Sequence, residues 1–166
     1  MTDEGMSKIV KSMSSIILPF IMIFGLYVIA HGHLTPGGGF QGGAIVASAC
    51  VMVLIAYGSK WTMDRVKEKN LSILESLGAI FFIGFAFLGL LFSFVFFKNF
   101  MVGTTEYFGI FADAVGQGST IANINTAGVL PFMNFAVGLK VIAGLFAIVL
   151  VMAFATSYTN KEVDSE

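Results

Sequence analysis

Charge is what this sequence has least of. Only 11% of its 166 residues are Asp, Glu, Lys or Arg, whereas a water-soluble domain carries about 25%. Cysteine is nearly absent too. The lone Cys50 lies inside an apolar run, which excludes an internal disulfide framework and a Cys-based metal site and leaves it the role of a small packing residue. The formal net charge of −1 supplies no basic field, so nucleic acid is excluded as a partner. Catalytic constellations are missing as well: no Ser/His/Asp set, carboxylate pair or cofactor motif has usable spacing, and the chain is not expected to be an enzyme by itself.

What is abundant is apolar surface. Hydrophobic residues make up 57% of the chain, 18 of them Phe, and the mean hydropathy is +0.89. That exceeds what a core of this size can bury, so the surplus must face lipid or partner subunits. Crossing about 30 Å of hydrocarbon takes roughly 20 apolar residues. Four stretches qualify, at about 12–30, 40–59, 76–97 and 130–156. The expected fold is therefore an all-α integral membrane domain of about four transmembrane helices, with connections at 60–75 and 98–129. No small-residue cleavage site ends the first stretch, which is read as a retained helix.

Basic residues orient the helices. Lys60, Arg65, Lys67 and Lys69 crowd the second connection, and Lys8 and Lys11 precede the first helix. The first connection has no Lys or Arg, and the third has only Lys98. Retention of basic segments on the inner side puts both termini in the cytoplasm. Pro19, inside the first helix, calls for a kink or a late helix start. Pro131 falls near the start of the fourth helix, where a missing N–H costs little and Asn125 or Thr126 could cap. The long third connection has room for a short interfacial helix, and residues 160–166 read as a solvated tail.

The least ordinary segment is 31–43, with Gly37, Gly38, Gly39, Gly42 and Gly43 close together and Pro36 holding Thr35 extended. A phosphate-binding glycine loop needs a preceding strand and a different spacing. Close helix packing is the better reading. Gly43, Ala47 and Cys50 or Val51 share a stripe of the second helix, a pattern that lets helices approach. His31 and His33 at the membrane edge are candidates for proton relay or for structural hydrogen bonding. With no carboxylate or cysteine nearby they make a poor metal set, so no metal site is expected.

Lys140 is the sharpest clue, a cation roughly 10–15 Å inside the fourth helix, where it must be hydrated, paired or able to snorkel. It shares a face with Met133, Val137 and Gly144, so a partner helix could pass close at Gly144 and bring a carboxylate to the amine, and a paired Lys140 would need water, a backbone carbonyl or another subunit. No acid is expected in the middle of this chain's own helices. Glu75 is read as a surface charge at the cytoplasmic end of the third helix near Lys67 and Lys69, and Asn134 as an inter-helix polar residue on another face from Lys140.

The stretch Gly32-His33-Leu34-Thr35-Pro36-Gly37-Gly38-Gly39-Phe40-Gln41-Gly42-Gly43 resembles the signature of the B subunit of Mrp-type sodium/proton antiporters, the MnhB/MrpB family. The likeness extends to Leu18, Pro19 and Phe20, to Phe24, Gly25, Leu26 and Tyr27, and to the stretch from Ala127 through Asn134 to Lys140. One departure stands out, because the family pattern leads us to expect an acid where this chain has Lys140. The resemblance implies a non-catalytic four-helix subunit in a prokaryotic cell membrane, next to other Mrp-type membrane subunits including large antiporter-like ones. It implies Na+ and H+ as cargo and no cofactor in this chain. Related subunits occur in archaeal membrane-bound hydrogenases and sulfur-reducing complexes, so hydrogenase or iron–sulfur subunits are a second set of partners. Two roles stay open: a share in the cation/proton path through Lys140, His31 or His33, or assembly alone, with Pro36, Gln41 and the loop glycines serving packing.

Overall fold

The computed structural model describes residues 5–34, 36–101 and 128–163. Its helices are α1 (Lys8–Ala30), α2 (Gly38–Tyr57), the short α3 (Ser59–Arg65), α4 (Glu68–Ser93) and α5 (Leu130–Val163). Four of them are long and apolar enough to cross a membrane. No strand occurs among the described residues. Most large apolar side chains point outward, Leu91 and Phe20 being 76% and 69% exposed. In water such a surface would aggregate, whereas lipid or neighbouring subunits satisfy it.

Lipid gives helices no hydrophobic reason to pair, so backbone proximity and fit decide the arrangement. α2 lies between α1 and α5, and α4 packs on the far side of α5. α2 is accordingly the most enclosed, with 44% of its span buried against 17% for α1. Its glycines face both ways. A Cβ on Gly42 would fall 2.7 Å from the Gly25 carbonyl oxygen and 2.8 Å from the Ile29 nitrogen of α1. A Cβ on Gly43 would fall 2.9 Å from the Gly138 carbonyl oxygen of α5, and one on Gly39 would fall 2.6 Å from that of Asn134. Contacts at 39 with 134 and at 43 with 138 run in the same sense, so α2 and α5 are parallel. Ser15 meets Tyr57 while Gly25 meets Gly42, which makes α1 antiparallel to α2.

The end of the bundle carrying the start of α1 is closed by side chains. Leu54, Leu71, Phe146 and Leu150 form a buried cluster, against which Met63 and Val66 pack. Gly58, at φ 91, turns the chain from α2 into α3, and the Thr62 hydroxyl donates 2.9 Å to the Gly58 carbonyl. Trp61 stacks on Tyr57 at 4.4 Å and Arg65 covers Trp61 at 4.5 Å. An aromatic belt capped by a cation suits a membrane–water boundary.

Several helices extend beyond their apolar runs. α1 starts at Lys8 rather than 12 and continues through Pro19, so the late start is not adopted. α4 starts at Glu68 rather than 76, because backbone hydrogen bonding does not stop where hydrophobicity does. α5 likewise continues to Val163. This relocates Glu75, which lies two turns inside α4 rather than at its end; an acid does occupy a spanning helix. The expected interfacial helix in the third connection, the Asn125 or Thr126 cap and the extended Thr35 lie outside the described residues.

Two glycine substitutions separate packing from propensity. Gly42→Ala puts a methyl onto the α1 backbone and should cost about 1–3 kcal/mol. Gly84→Ala meets nothing within 4 Å and should be neutral or slightly stabilising. Melting of the two variants in detergent, followed by size-exclusion chromatography, checks the contrast.

Candidate ion-path site

The signature loop forms a tight cap rather than a pocket. His31 ends α1, its Nδ1 lying 3.1 Å from the Tyr27 carbonyl and its ring 4.2 Å from the Tyr27 ring. His33 is half-buried, and its Nδ1 has no hydrogen-bond partner among the described residues. The Leu34 amide donates to the His31 carbonyl at 3.0 Å, closing the turn. Pro36 and Gly37 are exposed, and Gly37 takes φ +80, a left-handed conformation natural to glycine, to start α2. Gln41 is exposed, with its side chain beside Gly37. Gly38 is pressed directly on Gly32, and the Asn134 amide approaches Gly32 from α5. Loop, α2 and α5 thus meet around three glycines, and any side chain there would separate them.

Lys140 belongs to a different interface. It lies ten positions past Leu130, about 15 Å along α5, and is exposed at the chain's surface. Asn134 faces the α1–α2 loop, whereas Lys140 borders α4. A Cβ on Gly78 of α4 would lie 2.9 Å from the Lys140 backbone nitrogen and 3.0 Å from its Cβ. Gly78, Ala79, Phe82, Ile83, Val137 and Lys140 line a cleft of about 270 Å³. The long aliphatic stem of Lys140 suits such walls, leaving the ammonium free to reach the rim.

The helix passing at Gly144 is this chain's own α4 rather than a partner's, and its Glu75 carboxyl lies against Gly144 without an ion pair to Lys140. A Cβ on Gly144 would sit 3.4 Å from the Glu75 Cδ and Oε1. With Gly78 level with Lys140 and Phe85 stacked on Phe132 at 5.7 Å, α4 and α5 run antiparallel. Hydropathy misses Glu75 as an intramembrane residue because the uncharged stretch begins at 76, one position after it, whereas α4 starts at Glu68. The available signal was the i, i+3 pairing of Glu75 with Gly78, which mirrors Lys140 with Gly144 at i, i+4. The structure does not bring His31 or His33 to Lys140; they belong to the cap. No group of three or more His, Cys, Asp or Glu able to hold a metal occurs among the described residues.

Four bilayer-length helices, outward apolar faces and glycine-mediated helix crossings define a multi-pass helical membrane protein. This chain belongs to the family of domains related to the MnhB subunit of the Na+/H+ antiporter, whose sequence pattern matches residues 9–147. It is 35% identical over 142 residues to an uncharacterized protein of Methanocaldococcus jannaschii, across 84% of this chain and 49% of that protein. It is 34% identical over 100 residues to the B-type subunit of a Na+/H+ antiporter of Bacillus subtilis, across 60% of this chain and 66% of the relative. A putative antiporter subunit mnhB2 of Staphylococcus epidermidis is 35% identical over 71 residues, which are 42% of this chain and 50% of that one. The chain thus spans about half to two thirds of the length of these relatives. In three dimensions it resembles a chain in the membrane-bound sulfane sulfur reductase, an archaeal respiratory membrane complex. The TM-score is 0.66 at 26% identity, covering 92% of this chain and 62% of that one.

The α4–α5 geometry predicts that Gly78→Leu forces α4 away from α5, since its Cβ already meets the Ala136 carbonyl oxygen at 2.8 Å. Cysteines placed at 85 and 132, in a Cys50→Ala background, should be joined by a flexible bifunctional thiol reagent in the parent and less efficiently in that variant, as read by mobility shift.

Proposed function

We propose that this chain is a non-catalytic subunit of an Mrp-type antiporter module that borders the cation/proton path at Lys140 and holds neighbouring subunits together through its outward apolar faces. The observation that carries the reading is a lysine in mid-span, exposed on the chain's surface, with no ion pair to any described residue. A cation left so in lipid costs about 3 kcal/mol on insertion scales. Water or a polar group of a partner subunit offsets that cost, and both occur along an ion path. Na+ and H+ are the cargo this reading assigns to the module.

Family membership supports other Mrp-type subunits, including large antiporter-like ones, as partners. The likeness to a chain of an archaeal respiratory complex supports a redox-driven version, in which hydrogenase or iron–sulfur subunits would accompany the module. The start of α1, the α2–α3–α4 connection and the end of α5 share one face of the bundle, and Lys8, Lys11, Lys60, Arg65, Lys67 and Lys69 all fall there. The basic bias supports assigning that face to the cytoplasm.

Purification from native membranes in mild detergent, with mass spectrometry of the co-purifying chains, separates a stand-alone exchanger from a redox-driven pump. In the intact complex, Lys140→Met should lower coupled transport roughly tenfold or more while the subunits stay together. Wild-type transport by that variant would assign the chain to assembly alone.

A further inference from the structure

Between Leu71 and Phe92, α4 carries a single charged residue, Glu75, and between Leu130 and Ala155, α5 carries a single one, Lys140. Neither stretch contains another titratable side chain. Chain folding places these two on the same interface, one helical turn apart. Each faces a glycine of the opposite helix. Gly144 leaves space in which the Glu75 carboxyl lies, and Gly78 lets the α4 backbone rest against Lys140. The remaining charges toward the ends of α4 are Lys67, Glu68 and Lys69 at its start, Lys60, Asp64 and Arg65 on α3, and Lys98 beside Gly89.

The two groups are neighbours without being bonded, since no ion pair within 4.0 Å joins them. Helical side chains lean toward the N-terminus of their own helix. In an antiparallel pair, Glu75 and Lys140 therefore lean apart, and the cleft lined by Phe82, Ile83 and Val137 receives the lysine stem. A permanently charged, unpaired carboxylate at this depth is expensive. Two low-cost arrangements remain for it: a neutral, protonated carboxyl with Lys140 turned outward, or an ionised carboxylate with the Lys140 ammonium turned one helical turn toward it.

The geometry points to Glu75 as a proton-binding site of this chain, with Lys140 as its movable counter-charge. The proton leaves the Glu75 carboxyl for water and is replaced from water, while Lys140 keeps its own proton and only changes position. This assignment rests on the reading that the chain borders the ion path, and deepens it.

The test uses the whole complex in inverted membrane vesicles, with acidification followed by a pH-sensitive dye and subunit content followed by mass spectrometry. Glu75→Gln should lower proton movement roughly tenfold with all partners retained, and Glu75→Asp should keep part of it. Adding Lys140→Met to Glu75→Gln should cost nothing further, because the two act as one unit. Wild-type acidification by Glu75→Gln, with Lys140→Met impaired, overturns the Glu75 assignment and leaves the ion-path reading standing. Full activity in both variants overturns both. If Glu75→Gln does not assemble, the wild-type complex treated with dicyclohexylcarbodiimide decides. Labelling of Glu75 in step with loss of proton movement supports a protonated intramembrane carboxyl, and an unlabelled Glu75 overturns it. Sodium protection of Glu75 from the reagent would overturn the proton assignment by making the carboxylate a sodium ligand.

Discussion

The rest of this structure depends on how closely the backbone of α2 can approach two helices at once. Gly42 lies on the α1 backbone, and Gly39 and Gly43 lie on that of α5, at separations where a single methyl group meets main-chain atoms. In lipid the exclusion of water offers no reward for burying apolar side chains, so this contact of main chain with main chain carries the specificity that a hydrophobic core would carry in water. Once α1 and α5 are seated on α2, the position of α4 follows from the face of α5 that remains.

That remaining face carries the charges. α4 approaches α5 through Gly78 and Gly144, which places Glu75 and Lys140 at neighbouring levels while the helices stay tightly packed. The same device, a glycine that lets the backbone of one helix approach the other, serves two ends. At α2 it makes a rigid joint. Between α4 and α5 it brings the backbones together at Gly78 and leaves space beside the Glu75 carboxyl at Gly144, in spans where charged groups are costly and need water or a partner. Membership in the MnhB-related family and likeness to a chain of a respiratory membrane complex fit a protein that works within a larger assembly. So do outward faces bearing Phe20, Ile23, Leu91 and Phe92.

Much of the architecture was legible from residues alone. Hydrophobic runs of bilayer length, interrupted by glycine or by basic residues, mark four spans because the physics of a bilayer is one-dimensional: each span must be apolar for about 30 Å whatever its neighbours do. The special character of residues 37–43 was legible for a similar reason, since so many glycines serve no purpose in a helix except close approach. Helix ends were less legible. α4 begins eight residues before its apolar run because polar residues near the headgroups remain hydrogen-bonded in the helix.

By itself, then, the sequence determined the class of the protein, the number of its spans, its glycine-rich joint and the presence of one lysine in mid-membrane. Only the tertiary structure decided which helix lies against which, that His31 and His33 belong to a cap remote from Lys140, and that the acid nearest Lys140 across α4 and α5 is Glu75. The reason is that these are pairings between separate segments of the chain, 65 residues apart in the case of Glu75 and Lys140. Periodicity reports which face of a helix is special, but which other face meets it is settled by steric fit among all the helices together.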